Sequence, residues 1–192
     1  MLCERDDAAL WDRGVAQLKT EFSALSALRR DELIAVLKEM AQLKEEILLL
    51  TDGADGSAIC AACDGACCRV GKYHPAPLDL LDCIMAGELP VPPDFTRSDC
   101  PFLGDAGCRV IPSRRSFTCV IFICEFIAER LPEGEANRLV RLEEQLRLLR
   151  RWTAEHFGPR LTESFFLAME RNEQECVSFL IARSMEVVIN GD

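Results

Sequence analysis

The chain is 192 residues long, with 49% apolar and 28% charged residues, so it can bury a sizeable core as one domain or a domain with an appendage, and extended disorder is not expected. A formal charge of −10 argues against nucleic acid as a partner, because phosphate binding needs an excess of Lys and Arg. Eleven cysteines far exceed ordinary usage, and no run approaches the roughly 20 apolar residues of a membrane span.

The opening MLCERDDAAL has neither a cationic stretch nor an apolar one, so we expect a cytoplasmic protein without a membrane partner. In a reducing compartment, many thiols read as metal ligands or redox centres rather than as a disulfide framework, and an odd count fits complete pairing badly.

The first fifty residues contain no Pro and one Gly. Apolar residues recur at Trp11, Val15, Leu18, Phe22 and Leu25, then at Leu33, Val36, Met40, Leu43, Ile47 and Leu50, in steps of three and four. The phase slips between Leu28 and Leu33, where Arg29, Arg30, Asp31 and Glu32 cluster, which predicts a helical hairpin over 1–50 or one broken helix. The stripes are core in the first instance, and a surface for a protein partner in the second. Residues 51–57, Thr-Asp-Gly-Ala-Asp-Gly-Ser, then read as a helix stop and a turn or linker.

The next stretch is different material. Cys60 to Cys124 holds nine of the eleven Cys and seven of the nine Pro. Within it, Leu78 to Ala86 predicts a short helix on which Cys83 is a core thiol. Beyond Pro132, Leu139, Leu142, Leu146, Leu149 and Trp152 mark a helix over 135–157 that Gly158-Pro159 ends. A further helix is expected from about Thr162, as N-cap, resuming around Cys176 to Val188 and closing a C-terminal helical region over 133–190.

Chemistry begins at Cys60-Ala-Ala-Cys63-Asp-Gly-Ala-Cys67-Cys68. A two-residue gap lets both thiolates of Cys60 and Cys63 reach one metal at about 2.3 Å. Gly65 frees the backbone before the next ligands, and the diverging side chains of Cys67 and Cys68 suit two ions, two irons of one cluster, or a ligand beside a structural thiol. Cys100, Cys108, Cys119 and Cys124 follow, again among Gly and Pro, as expected of loop-held thiolates. Five residues on a regular helix turn a side chain by about 140°, so a metal shared by Cys119 and Cys124 requires Cys119 to sit in the turn before a helix.

This pattern resembles the YkgJ-like cysteine-cluster proteins, also described as a zinc- or iron-chelating domain. Their C-x2-C-x-G-x-C-C motif is matched without a gap by Cys60, Cys63, Gly65, Cys67 and Cys68, and their C-P-x-L block followed by Gly-Cys by Cys100, Pro101, Leu103, Gly107 and Cys108. Their R-P-x-x-C-R-x-F-x-C block is matched in part by Arg115, Cys119, Phe122 and Cys124, with Ser116 and Val120 where the family usually has Pro and Arg. The likeness covers about residues 58–126 and implies metal binding, not a reaction. One branch of the wider family, the flagellin lysine methylases, resembles an iron–sulfur enzyme, but no glycine-rich nucleotide loop accompanies the cysteines here.

Among other residues, His74 reads as a loop histidine before a ligand, and His156 as a cation favoured near a helix end. Asp64, Asp99 and Asp105 read as turn formers, because thiolate-rich sites rarely add carboxylates. Arg69, Arg109, Arg114 and Arg115 either neutralise a polythiolate site or simply face solvent, and Arg114 and Arg115 are the candidate cofactor-binding cations. Cys3 and Cys176 are left out of the site. The expectation is a mainly α protein whose N-terminal helical hairpin and C-terminal helices surround a loop-rich cysteine module, with metal integral to its folding. The module holds a [4Fe–4S] cluster or zinc, the adjacency of Cys67 and Cys68 tilting the choice toward iron–sulfur. Alternatives are an iron–sulfur-dependent enzyme or maturation factor, and a metal-free thiol sensor switching at Cys67-Cys68 or Cys60/Cys63.

Overall fold

The computed structural model describes residues 6–63, 66–85, 91–97, 99–104, 107–175 and 178–181. The readings placed on Cys3, Asp64, Gly65, Ala86, Asp105, Cys176 and 182–188 lie outside the described residues. The protein is mainly helical, with helices α1 (Asp7–Ala24), α2 (Ala27–Gly53), α3 (Gly56–Ala62), α4 (Pro77–Met85), α5 (Phe117–Ile121), α6 (Glu125–Ala128), α7 (Glu133–Phe157) and α8 (Phe165–Glu175). Two strands, β1 (Leu103–Gly104) and β2 (Gly107–Cys108), pair antiparallel with Leu103 opposite Cys108. Among the described residues no helix is long and apolar enough to cross a membrane.

The break between the first two helices falls at Leu25 and Ser26, ahead of the charged cluster. Ser26 caps α2 by accepting from the Arg29 N–H at 3.3 Å, and Leu25 is buried in an extended conformation. The charges that disturbed the periodicity are only the first turn of α2, where Arg29 and Glu32 pair at 3.0 Å. Helix α2 has α7 as its long neighbour, while α1 lies on α4 and α8. The α2 and α7 helices run antiparallel: Arg29 donates to the His156 carbonyl and stacks 3.9 Å over Phe157, and Arg138 at the other end reaches Glu46 at 2.6 Å.

Helix α1 approaches α8 so closely at Gly14 that a Cβ there would overlap the Phe165 ring. Trp11, one turn earlier, meets Phe165 and Phe102 with ring centroids 5.0 and 5.6 Å apart. Both predicted stripes are buried along much of their length, in one continuous apolar core that also takes in Leu81, Val120, Leu146 and Phe165.

Three local expectations need correction. The linker over 51–57 contracts to Ala54-Asp55, because α2 continues through Gly53 and Asp55, in a left-handed conformation at φ 60°, leads directly into α3. Helix α7 starts at Glu133, directly after Pro132. Thr162 does not cap a helix: Pro159 opens a 3₁₀ turn, Pro159–Thr162, that buries Leu161, and α8 starts only at Phe165, whose N–H donates to the Pro75 carbonyl at 2.8 Å.

Candidate metal centre

Helix α3 carries Cys60 outward and ends at Cys63, whose Sγ donates to the Cys60 carbonyl at 3.4 Å. Cys67 and Cys68 follow in a 3₁₀ stretch, Ala66–Tyr73. Cys100 is buried just before the β1–β2 hairpin, and Cys108 ends it at the surface. The 3₁₀ stretch touches the Cys100 segment at Gly71, where a Cβ would stand 2.6 Å from the Cys100 Cβ and 2.7 Å from its sulfur.

Cys119 and Cys124 resolve their geometry differently from expectation. Cys119 lies inside α5, its N–H bonded to the Ser116 hydroxyl at 3.3 Å, and the helix breaks at Phe122, so that Cys124 becomes the N-cap of α6. The break, not a turn ahead of Cys119, frees the two sulfurs from the 140° offset of a regular helix. Cys60 and Cys119 therefore sit on helices rather than loops.

Charge and burial tie several of the motif thiols together. Partial burial raises the Cys60 thiol, the nearby sulfurs of Cys67, Cys63 and Cys124 raise it further, and Arg115 opposes them. Cys68 is pushed up to about 12 by burial, by its neighbour Cys67, and by Cys100 and Cys119. Cys119 is also pushed up to about 12, by burial first and then by Cys100 and Cys108, against a hydrogen bond from Ser116. Cys100 rises by burial with Cys108 adding to it. Cys60 thus feels Cys63, Cys67 and Cys124, and Cys68 feels Cys100 and Cys119 as well as Cys67, so that the adjacent pair Cys67-Cys68 links the two ends of the cysteine region.

Among the described residues no three His, Cys, Asp or Glu side chains are drawn together closely enough to hold an ion as they stand. The donor chemistry nevertheless fits a soft metal. Thiolates are the ligands of a tetrahedral zinc or of a [4Fe–4S] cluster, and a cation would reverse the mutual repulsion that raises these thiols.

The surroundings are mixed. Arg115 opposes the rise at Cys60 and donates to the Val110 carbonyl at 3.3 Å, while Arg114 lies 3.8 Å from Asp82. Both arginines line a cavity of about 120 Å³ with Cys83, Cys100 and Cys108. Arg109 instead braces the hairpin through the carbonyls of Pro92 and Pro101 at 2.9 and 2.8 Å, and Arg69 is exposed. Asp99 is bound to Arg97 at 2.7 Å. Cys83 is buried on α4, its thiol pushed up to about 11 chiefly by burial. His156 stacks on Trp152 with centroids 4.2 Å apart.

Two further residues stand at the site, one that the sequence weighed as a ligand and read as a loop histidine, and one that it did not name. His74, read as a loop residue, places its Nδ1 3.2 Å from the Cys119 sulfur. Asp79 is buried and accepts from the N–H groups of Ala76, at 3.0 Å, and Phe117, at 3.1 Å, which fixes the segments bearing His74 and Cys119 against each other. Its signal was a carboxylate amid the apolar run Pro-Leu-Asp-Leu-Leu.

No family model, curated protein or solved structure matches the chain. The likeness to the cysteine-cluster proteins rests on motif spacing alone.

Proposed function

We propose that this chain is a metal-binding protein of the YkgJ-like kind with two four-thiolate centres, one held by Cys60, Cys63, Cys67 and Cys124 and the other by Cys68, Cys100, Cys108 and Cys119. What supports this reading is that Cys60 feels Cys67, Cys63 and Cys124, while Cys119 feels Cys100 and Cys108, and Cys68 feels Cys100 and Cys119 as well as its chain neighbour Cys67. Each quartet suits zinc or a [4Fe–4S] cluster, and Arg115 beside Cys60 supplies a counter-charge to the thiolates. Such thiols need a reducing compartment, which supports a cytoplasmic location. The cavity walled by Cys100 and Cys108 favours a second reading, an enzyme or maturation factor whose second centre meets a small substrate.

The test is metal content in single variants. Cys63→Ser should remove the first centre and Cys108→Ser the second, each lowering metal per chain by about half, while Cys83→Ser leaves it unchanged. Full retention in both ligand variants, or an equal loss in Cys83→Ser, overturns the assignment.

A further inference from the structure

A second feature owes nothing to the cysteines. In a chain of formal charge −10, three arginines of α7, Arg147, Arg150 and Arg151, line one cleft of about 320 Å³ together with Ala154, Phe117 and Thr162. The guanidiniums of Arg150 and Arg147 lie over the Phe117 ring at 4.4 and 5.7 Å from its centroid, which restricts their planes. Arg150 gives one nitrogen, Nη2, to the Thr162 carbonyl, but its Nη1 is buried and meets no acceptor. Glu143, 3.5 Å from Arg147, is the one carboxylate paired with any of the three among the described residues. Burial works against the charge on Arg150, and Asp79 opposes that in the second place. Like charges gathered at one cleft, with a buried donor unsatisfied, call for an anion.

We propose that this cleft binds a small phosphorylated molecule through its phosphate group, with Arg147, Arg150 and Arg151 as the residues that hold the oxyanion. A carboxylate occupies a single guanidinium fork, whereas a tetrahedral phosphate presents enough oxygens for three. The overall negative charge repels long polyanions, and a cleft of about 320 Å³ matches a small molecule.

The experiment is calorimetric titration of the full chain as purified, at constant ionic strength, with inorganic phosphate, glycerol 3-phosphate and acetate. Saturable one-to-one binding is expected for phosphate or its monoester, the stronger of the two showing whether the rest of the molecule is recognised, with acetate weaker by at least about tenfold. Arg147→Gln and Arg151→Gln, both at exposed positions, should each weaken binding about tenfold, whereas Arg141→Gln, outside the cleft on the same helix, should not. Metal content should be unchanged in all three variants, which separates this site from the thiolate centres. Absence of saturable binding by either phosphate, an equal response to acetate, or unchanged affinity in the Arg147→Gln/Arg151→Gln double variant would overturn the proposal.

Discussion

The Lys44 Nζ lies 2.9 Å from Asp79 Oδ1, and each side chain is only 4% exposed. This ion pair joins α2 to α4 at the level where Asp79 also takes the N–H groups of Ala76 and Phe117. One carboxylate thereby anchors the long N-terminal helix, the segment that presents His74 and the helix that presents Cys119. Burial of a charged pair costs desolvation, and the additional N–H donors are what let this one persist.

Replacing Asp79 by Asn should therefore destabilise the protein by about 3–5 kcal/mol, since it leaves Lys44 buried without a counter-ion. The apolar double variant Lys44→Met/Asp79→Leu should recover only part of that loss, because the N–H groups of Ala76 and Phe117 remain unsatisfied. Urea denaturation of the three proteins checks the order, and full recovery in the double variant would show that Asp79 acts through Lys44 alone.

Gly71→Ala should be costly although glycine lies in neither a left-handed turn nor a cap. Its new methyl would meet the root of the Cys100 side chain, which cannot swing aside as a long side chain would. We expect a loss of about 1–3 kcal/mol in thermal or urea unfolding. Metal should be released selectively from the centre that includes Cys100, so that Cys63→Ser and Gly71→Ala combined leave almost none.

The Cys83 thiol gives a pH signature. Its folded-state value of about 11 stands above the ordinary 9.0, so the folded chain keeps this proton longer than the unfolded one. The resulting stabilisation is complete below about pH 9 and is lost as pH rises from 9 toward 11, by an amount of order 2 kcal/mol. Cys83→Ala should flatten that part of the stability profile relative to the unaltered protein. Identical profiles would refute this account.

The fold was legible where burial follows a simple period. The apolar residues of α2 and α7 recur in helical steps because both helices bury one stripe, and the same stripes supply the core at Leu33, Met40, Ile47, Leu139, Leu142 and Leu146. What periodicity could not show was which stripe faces which: α2 meets α7, a hundred residues away, rather than its neighbour α1. The boundaries at Ser26, Asp55 and Phe165 were set by a cap, a left-handed residue and a buried Leu161, each of which outweighs the local pattern. At the site, spacing singled out the thiols, but which of them come near one another depends on the close approach of Gly71 to Cys100 and on the helix break between Cys119 and Cys124.

Residues 1–50 alone should be helical but only weakly stable. The buried stripe of α2, Leu33, Leu37, Met40 and Ile47, loses α7 when the chain is cut, and short isolated helices are marginal in water. Circular dichroism should report partial helicity with a broad, non-cooperative melt. A sharp monomeric transition would mean that α1 and α2 form a core of their own.

The most direct test of two thiolate centres is the stoichiometry of iron, acid-labile sulfide and zinc in protein purified without oxygen. Two filled quartets predict roughly two zinc per chain, or about eight iron with eight sulfide, or about one zinc with four iron and four sulfide. A preparation that saturates at about one zinc, or at about four iron and four sulfide with no zinc, would contradict the account, because one quartet would then stand outside the metal chemistry.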